Sequence, residues 1–139
     1  MWGLAGLLHD LDYDETHRDM KKHGYKTVEI LKEYGIPDTV LHAILAHPGH
    51  VERKTLMDKA LYASDPVTGL IVAAALVHPE KKLEPLDVSF IMRRFKEKHF
   101  AKGANRDQIK SCEEMGLSLE EFLDIALKAM KRISKELGL

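Results

Sequence analysis

The sequence predicts an all-α protein of about six to seven helices. Apolar residues recur three and four positions apart along almost the whole chain, and no segment alternates between apolar and polar residues as a half-buried strand does. Glycine, proline and capping residues divide this pattern into segments of helical length. The chain has 139 residues, which is the usual size of one domain, so we expect a single domain over residues 1–139.

The first half of the chain predicts four helices joined by short loops. A short apolar helix ends near His9-Asp10, and an acidic loop follows it over residues 12–19. A glycine after the second helix and a proline before the third set the next boundary. These segments end or begin at Gly35, Pro37, His47-Pro48-Gly49, Thr55 and Asp65-Pro66.

The second half of the chain begins with an apolar run that predicts the most buried helix of the domain. His78-Pro79 and Pro85 bracket a surface turn after this run. The last third contains three helical patterns. Ser118-Leu-Glu-Glu121 predicts a capping box at the start of a final amphipathic helix from Leu119 to Leu137.

The composition is that of an ordinary soluble protein. The sequence is 45% hydrophobic and 31% charged, with a formal net charge of -1, so overall charge gives no support for nucleic-acid binding. The apolar run from Gly69 to Val77 is shorter than the roughly 20 residues of a membrane span. The N-terminus lacks the basic segment of a signal peptide, and the single Cys112 allows no internal disulfide. We therefore expect a cytoplasmic protein without a membrane partner.

Histidines are concentrated in the first half of the chain, where six of the eight lie between positions 9 and 50. Imidazole and carboxylate together suit divalent first-row metal ions, and the absence of nearby thiolates argues against a zinc finger. His9 and Asp10 are neighbours and lie about 100° apart around a helix, so they converge on one ion only at a helix end. His23, His47 and Asp65 are the further candidate ligands, because each lies at a predicted helix boundary.

Several motifs together resemble the HD superfamily of metal-dependent phosphohydrolases, and in particular the small stand-alone HDIG-domain proteins. They are Trp2-Gly-Leu-Ala-Gly-Leu-Leu-His-Asp-Leu-Asp-Tyr13, Lys22-His-Gly24, Ala46-His47 and Asp58-Lys-Ala-Leu-Tyr-Ala-Ser-Asp65. The resemblance implies an HD-domain-like helical bundle and a divalent metal ion, which could be Mn, Fe, Zn, Ni, Co or Mg.

The resemblance also implies roles for individual residues. His9, Asp10 and Asp65 match the ligands of one divalent metal, and Asp10 is the expected catalytic carboxylate that bridges metals or orients water. His23 and His47 match positions that bind a second metal, or that contact the phosphate in mononuclear members. The family's first ligand is a histidine upstream of the His-Asp pair, and none of the eight residues before His9 is a histidine. The predicted site is therefore one ligand short, and we expect a chain that is truncated at its N-terminus relative to the family.

The leading functional hypothesis is an enzyme that hydrolyses a nucleotide or another small phosphate ester with a metal-activated water. Lys26 or Lys59 could neutralise phosphate charge at the rim of the site. The alternative is a catalytically impaired module that binds metal or forms oligomers. The apolar N-terminal helix would need a partner element or a second subunit to cover it, so we expect a homo-oligomer.

Other polar residues have weaker patterns. The basic stretch from Arg93 to Lys110 could bind nucleic acid, but acidic residues dilute its charge, so we regard a nucleic-acid partner as unlikely. We expect His17 and His50 to be solvated loop residues, and His42 to be a core or helix-surface histidine. Asp12 is a minor candidate for a residue that hydrogen-bonds a ligand.

Overall fold

Every regular element of the protein is a helix, which confirms the predicted all-α class. The computed structural model describes all 139 residues. It contains eight α-helices and one 3-10 helix, more than predicted because two of the α-helices have only five and four residues. They are α1 (Trp2–Leu8), α2 (Tyr25–Glu33), α3 (Asp38–Ala46), α4 (Leu56–Val77), α5 (Val88–Lys96), α6 (Arg106–Lys110), the 3-10 helix Ser111–Met115, α7 (Leu119–Arg132) and α8 (Ser134–Leu137).

Local capping signals set several of the helix boundaries. The Ser118 hydroxyl accepts from the backbone N–H of Glu121 at 3.1 Å, and the Glu121 carboxylate accepts from the Ser118 N–H at 2.8 Å, so the predicted capping box is confirmed. Gly35 follows α2 with a φ of 68°, as the helix end requires. Pro37 is the N-cap of α3, one position before the predicted one, and Asp38 is the first helical residue.

The chain forms two compact units, residues 1–62 and residues 63–139. The first unit buries apolar side chains from α1, α2, α3 and the start of α4. The second unit has its own core, which contains the rest of α4 together with side chains from α5 to α7. Central residues of the first core are Ala5, Val28, Leu31, Val40 and Ile44, and those of the second are Leu70, Ile71, Ile91, Ile109 and Leu123.

Helix α4 corrects the prediction that a helix ends at Asp65-Pro66. It runs without a break from Leu56 to Val77, with Pro66 inside it. An internal proline costs about 3 kcal/mol, because it has no N–H for the carbonyl four residues earlier. Val67, Leu70 and Ile71 lie in the first turns after Pro66 and are at most 1% exposed. Burying each of them contributes roughly 1.5–3 kcal/mol. The continuous helix is therefore favoured over a break.

Because α4 is continuous, it is also long and apolar enough to cross a membrane by length and composition alone, which the sequence prediction did not anticipate. A core helix passes the same test, and Leu70, Ile71 and Ala74 of α4 are completely buried in the second unit. One such helix is therefore weak evidence for a membrane span.

The C-terminal helix is interrupted where the sequence predicts continuity to Leu137. Helix α7 ends at Arg132, and Ile133 has φ -113° and ψ 22°, outside the helical range. The four-residue α8 follows this interruption. The amphipathic pattern continues through the break, so periodicity alone does not reveal it.

Candidate metal centre

Two histidines of the first unit are the C-caps of helices. His9 is the C-cap of α1 and His47 is the C-cap of α3. The last carbonyls of a helix have no partner within the helix, so they are available to nearby side chains. The Nδ1–H of His9 donates to the carbonyl of Gly6 at 2.8 Å, and the Nδ1–H of His47 donates to the carbonyl of Ile44 at 2.6 Å. Each helix end thereby orients the ring that follows it.

Asp10, His23 and His47 converge into a donor set in which one ligand atom from each lies within 4.8 Å of the others. The Nε2 atoms of His23 and His47 are 2.9 Å apart, and Asp10 Oδ1 is 3.1 Å from His23 Nε2. Both imidazoles are buried, with 1% and 3% exposure, whereas the Asp10 side chain is about half exposed. The set therefore has a buried imidazole side and a carboxylate open to solvent.

His9 lies beside this set. Its Nε2 is 3.4 Å from Asp10 Oδ2, and its ring meets the ring of His47 edge-on, with centroids 5.0 Å apart. The rings of His23 and His47 are also edge-on, at 4.8 Å. Three imidazoles and one carboxylate of the first unit thus share one region.

The hydrogen bonds of the rings define their protonation. The Nδ1 atoms of His23 and His47 face a carboxylate and a carbonyl, which only accept, so each Nδ1 carries the proton. The neutral form of each ring therefore presents a lone pair on Nε2. Two lone pairs that face each other at 2.9 Å repel unless a proton or a cation lies between them. Histidine ligands of metals share this arrangement, in which the second ring nitrogen donates to an acceptor. The donor set accordingly fits a divalent ion.

The carboxylate of Asp12 accepts a hydrogen bond from Nδ1 of His23, the ring nitrogen that is not part of the donor set. This carboxylate is completely buried, accepts from His23 Nδ1 at 2.6 Å, and accepts from the backbone N–H groups of Gly24 and Thr27 at 2.9 to 3.1 Å. Burial by itself would raise the pKa of Asp12, but the hydrogen bonds from Gly24, Thr27 and His23 outweigh it and lower that pKa below 3.8. Asp12 therefore stays ionised and also satisfies N–H groups at the start of α2.

Gly24 permits the close approach of His23 to α3. It is buried and has a φ of 91°, which favours glycine. A Cβ at this position would lie 3.3 Å from the carbonyl oxygen of Ile44 and 3.5 Å from Pro48. A larger residue would therefore be strained at this φ and would crowd the carbonyl of Ile44.

His50 makes an internal hydrogen bond, which corrects the expectation that it is a solvated loop residue. It is half-buried, and its Nε2–H donates to the carbonyl of His23 at 2.7 Å. His17 is exposed, as expected. His42 lies on α3 with its Nδ1 3.1 Å from the buried carboxylate of Asp58, in agreement with a helix-surface role.

The set formed by Asp10, His23 and His47 does not include Asp65, Lys26 or Lys59. Asp65 is half-buried on α4 within the second unit, and its role as a ligand stays a prediction. Lys26 forms an ion pair with Glu15. Lys59 is half-buried in the first turns of α4.

The basic stretch of the second unit is partly used for internal contacts. Arg94 pairs with Glu97 at 2.9 Å. The Arg106 guanidinium donates to the backbone carbonyls around the loop before α6, and burial lowers its pKa from the usual value of an arginine. The carbonyls with the shortest contacts belong to Phe95, Phe100, Ala101 and Ala104, at 2.5 to 3.1 Å. Arg106 therefore has a structural role here.

The sequence was compared with protein families and with known proteins, and both comparisons found matches. The family model of the HD domain matches residues 2–76. The chain is 43% identical over 61 residues to a ribonuclease Y of Nitratiruptor sp., covering 44% of this chain and 12% of that protein. It is 32% identical over 108 residues to a ribonuclease Y of Desulfotalea psychrophila, covering 74% of this chain and 20% of that protein. It is 29% identical over 136 residues to a ribonuclease Y of Clostridium kluyveri, covering 96% of this chain and 26% of that protein.

The chain thus spans between about an eighth and a quarter of the length of these relatives. No solved structure matches it. The family match covers more than half of the chain and includes α1 to α3, His9, Asp10, His23 and His47. The chain therefore belongs to the HD-domain family.

Proposed function

We propose that this protein is a divalent-metal-dependent phosphohydrolase. The observation that carries the proposal is the pair of buried imidazoles whose Nε2 atoms face each other at 2.9 Å beside Asp10, with both Nδ1 atoms committed to acceptors. Membership of the HD-domain family, which belongs to a superfamily of metal-dependent phosphohydrolases, supports it.

His23, His47 and Asp10 are the residues that would hold the ion in the first unit, with His9 beside them. When bound, a divalent cation supplies Lewis-acid polarisation of a phosphoryl oxygen and lowers the pKa of a water molecule. Asp10 is the exposed member of the set, so its carboxylate can orient a water toward the phosphorus. Asp12 keeps the lone pair of His23 Nε2 directed at the site by retaining the proton on Nδ1. Asp65 remains a predicted further ligand.

The substrate we propose is a nucleotide or another small phosphate ester. The relatives are named ribonuclease Y, which makes the phosphodiester bond of RNA a second candidate substrate. The chain corresponds to at most about a quarter of those proteins, so their activity enters here as a candidate to test. Both reactions would use the same donor set, and they differ in that the phosphorus carries one ester bond in a phosphomonoester and two in a phosphodiester.

The experiment that tests the proposal combines metal content with turnover. Purified protein is incubated with Mn²⁺, dialysed and analysed for bound metal per chain. It is then assayed for release of phosphate from nucleoside monophosphates and for cleavage of a short single-stranded RNA. We expect bound metal and metal-stimulated hydrolysis of one substrate class, with both reduced by at least about tenfold in Asp10→Asn and His47→Gln. Asp14→Asn, an exposed carboxylate in the same loop, is the matched control. Metal-independent turnover, or turnover unchanged in Asp10→Asn, would contradict the proposal.

A second candidate is an oligomeric module with little or no turnover. It is favoured by α1, where Trp2 is 55% exposed and Leu7 is 79% exposed. A contiguous exposed apolar patch on a protein surface often marks an interaction site. We expect light scattering to show a dimer or larger assembly that Leu7→Glu converts to smaller species. A monomer at high protein concentration would remove this candidate.

A further inference from the structure

Tyr25 and His50 form an aromatic stack next to the backbone of His23. Their ring centroids are 4.1 Å apart and the rings are inclined by 26°. Tyr25 is the first residue of α2, and 53% of it is exposed, because the buried side of this helix carries Thr27, Val28 and Leu31. The Tyr25 ring is therefore exposed to solvent and stacks on the imidazole of His50.

The stack is anchored to the metal centre through His23. The Nε2–H of His50 donates to the carbonyl of His23 at 2.7 Å, and the ring of the same His23 is a member of the donor set. Tyr25 follows His23 by two residues, and the intervening Gly24 is buried. The hydrogen bond fixes the imidazole, and the imidazole supports the tyrosine, so the ring is held in place before any ligand arrives.

The surface around Tyr25 is suited to an anion attached to a flat ring. Lys21 and Lys22 directly precede His23 and are both exposed, and positively charged side chains favour the binding of phosphate. An ordered aromatic ring stacks on any nucleobase, since every base has a π face. A preordered ring loses little conformational entropy on binding.

We propose that Tyr25, supported by His50, stacks on the nucleobase of a nucleotide whose phosphate binds at Asp10, His23 and His47. This inference rests on the proposed phosphohydrolase function and names the part of the substrate that the protein recognises. It makes Tyr25 a specificity residue, since it contacts the leaving group and leaves the reacting phosphate to the donor set. The protein would then distinguish nucleotides from phosphate esters that have no base.

The test measures binding, so that it does not depend on turnover. Dissociation constants for AMP and for ribose 5-phosphate, which lacks the base, are measured by calorimetry in the presence of Mn²⁺. We expect AMP to bind about tenfold more tightly than ribose 5-phosphate, as one base stack allows. Tyr25→Ala and Tyr25→Leu should reduce the affinity for AMP to that for ribose 5-phosphate, whereas Tyr25→Phe should retain it. Tyr34→Ala is the matched control, because Tyr34 lies just after α2 and is 77% exposed.

The outcomes separate this inference from the proposed function. Equal affinities for the two ligands, no binding of either, or an AMP affinity unchanged in Tyr25→Ala and Tyr25→Leu would overturn the stacking role even if the protein hydrolyses phosphate esters. A preference for AMP that is lost in Tyr25→Ala and kept in Tyr25→Phe would support it even if no turnover is detected. Circular dichroism of each variant establishes that the helical fold is retained.

Discussion

Replacement of Asp12 by asparagine should weaken both the fold and the metal centre. The Asp12 carboxylate accepts from three groups, which are His23 Nδ1–H and the N–H groups of Gly24 and Thr27. Asparagine has almost the same shape but offers only one acceptor oxygen and replaces the other by an NH₂ donor. In either orientation of the amide, its NH₂ group faces a buried donor, which is His23 Nδ1–H in one orientation and the Thr27 N–H in the other.

The size of both effects follows from these contacts. A buried donor left without an acceptor costs about 1–3 kcal/mol, and the remaining hydrogen bonds lose their charge assistance. We therefore expect Asp12→Asn to lower the free energy of unfolding by about 3 kcal/mol. Loss of the carboxylate behind a ligating imidazole typically weakens metal binding by about 10- to 100-fold. The reason is that His23 no longer keeps its proton firmly on Nδ1.

Two assays measure these effects separately. Urea denaturation of the metal-free protein gives the free energy of unfolding, and competition with a chelator of known affinity gives the dissociation constant for Mn²⁺. Asp14→Asn is the matched control, because it removes an exposed carboxylate from the same loop. We expect this control to remain within about 0.5 kcal/mol of the wild type in stability and within about twofold in metal affinity.

The two assays also define what would refute the reasoning. A folded Asp12→Asn protein that binds Mn²⁺ as tightly as the wild type would show that Asp12 does not orient His23. An unfolding free energy equal to that of Asp14→Asn would show that the buried contacts of Asp12 do not stabilise the start of α2.

Two further predictions concern structural contacts elsewhere in the chain. The pKa of Asp58 is lowered below 3.8, because hydrogen bonds from Thr55, Lys54 and His42 outweigh the effect of burial, which would raise it. The contribution of the Asp58 carboxylate to stability is therefore complete above about pH 5 and is lost as the pH falls below 3.8 through the folded-state pKa. The difference in unfolding free energy between wild type and Asp58→Asn, measured by urea denaturation, should therefore shrink below about pH 4. A difference that does not change with pH would disprove this. Arg106→Lys keeps the charge but replaces the planar guanidinium with an ammonium group whose three donors lie at one point. It should therefore lower the free energy of unfolding by about 3 kcal/mol more than Arg93→Lys, the control substitution at another arginine of the basic stretch. Equal losses of stability in the two variants would contradict the structural role of Arg106.

The sequence predicted the fold class well because its signals are local. Helical periodicity and the Ser118 capping box depend on residues a few positions apart, and both agree with the structure. The prediction was wrong at Pro66, where the local rule says that a helix ends. Burial of the residues after Pro66 outweighs the cost of the proline, and burial depends on the whole chain. The break at Ile133 was missed because a change of one residue's backbone leaves the amphipathic pattern intact.

The candidate site was predicted in part. The sequence placed His9, His23 and His47 at helix ends, and the structure brings them together with Asp10. The support around them was underestimated, because it comes from contacts between residues far apart in the sequence. Asp12 reaches Thr27 across 15 positions, and His50 reaches His23 across 27. No periodicity or spacing rule predicts such pairs.

The sequence by itself therefore determined that the chain is helical, where several of its helices begin or end, and which residues have the chemistry of metal ligands. Only the tertiary structure decided which nitrogen of each imidazole faces the site, that a buried carboxylate fixes His23, and that Tyr25 is stacked and exposed. The physical reason is that helix formation depends on neighbouring residues, whereas the orientation and protonation of a side chain depend on acceptors and rings that folding brings to it from elsewhere in the chain.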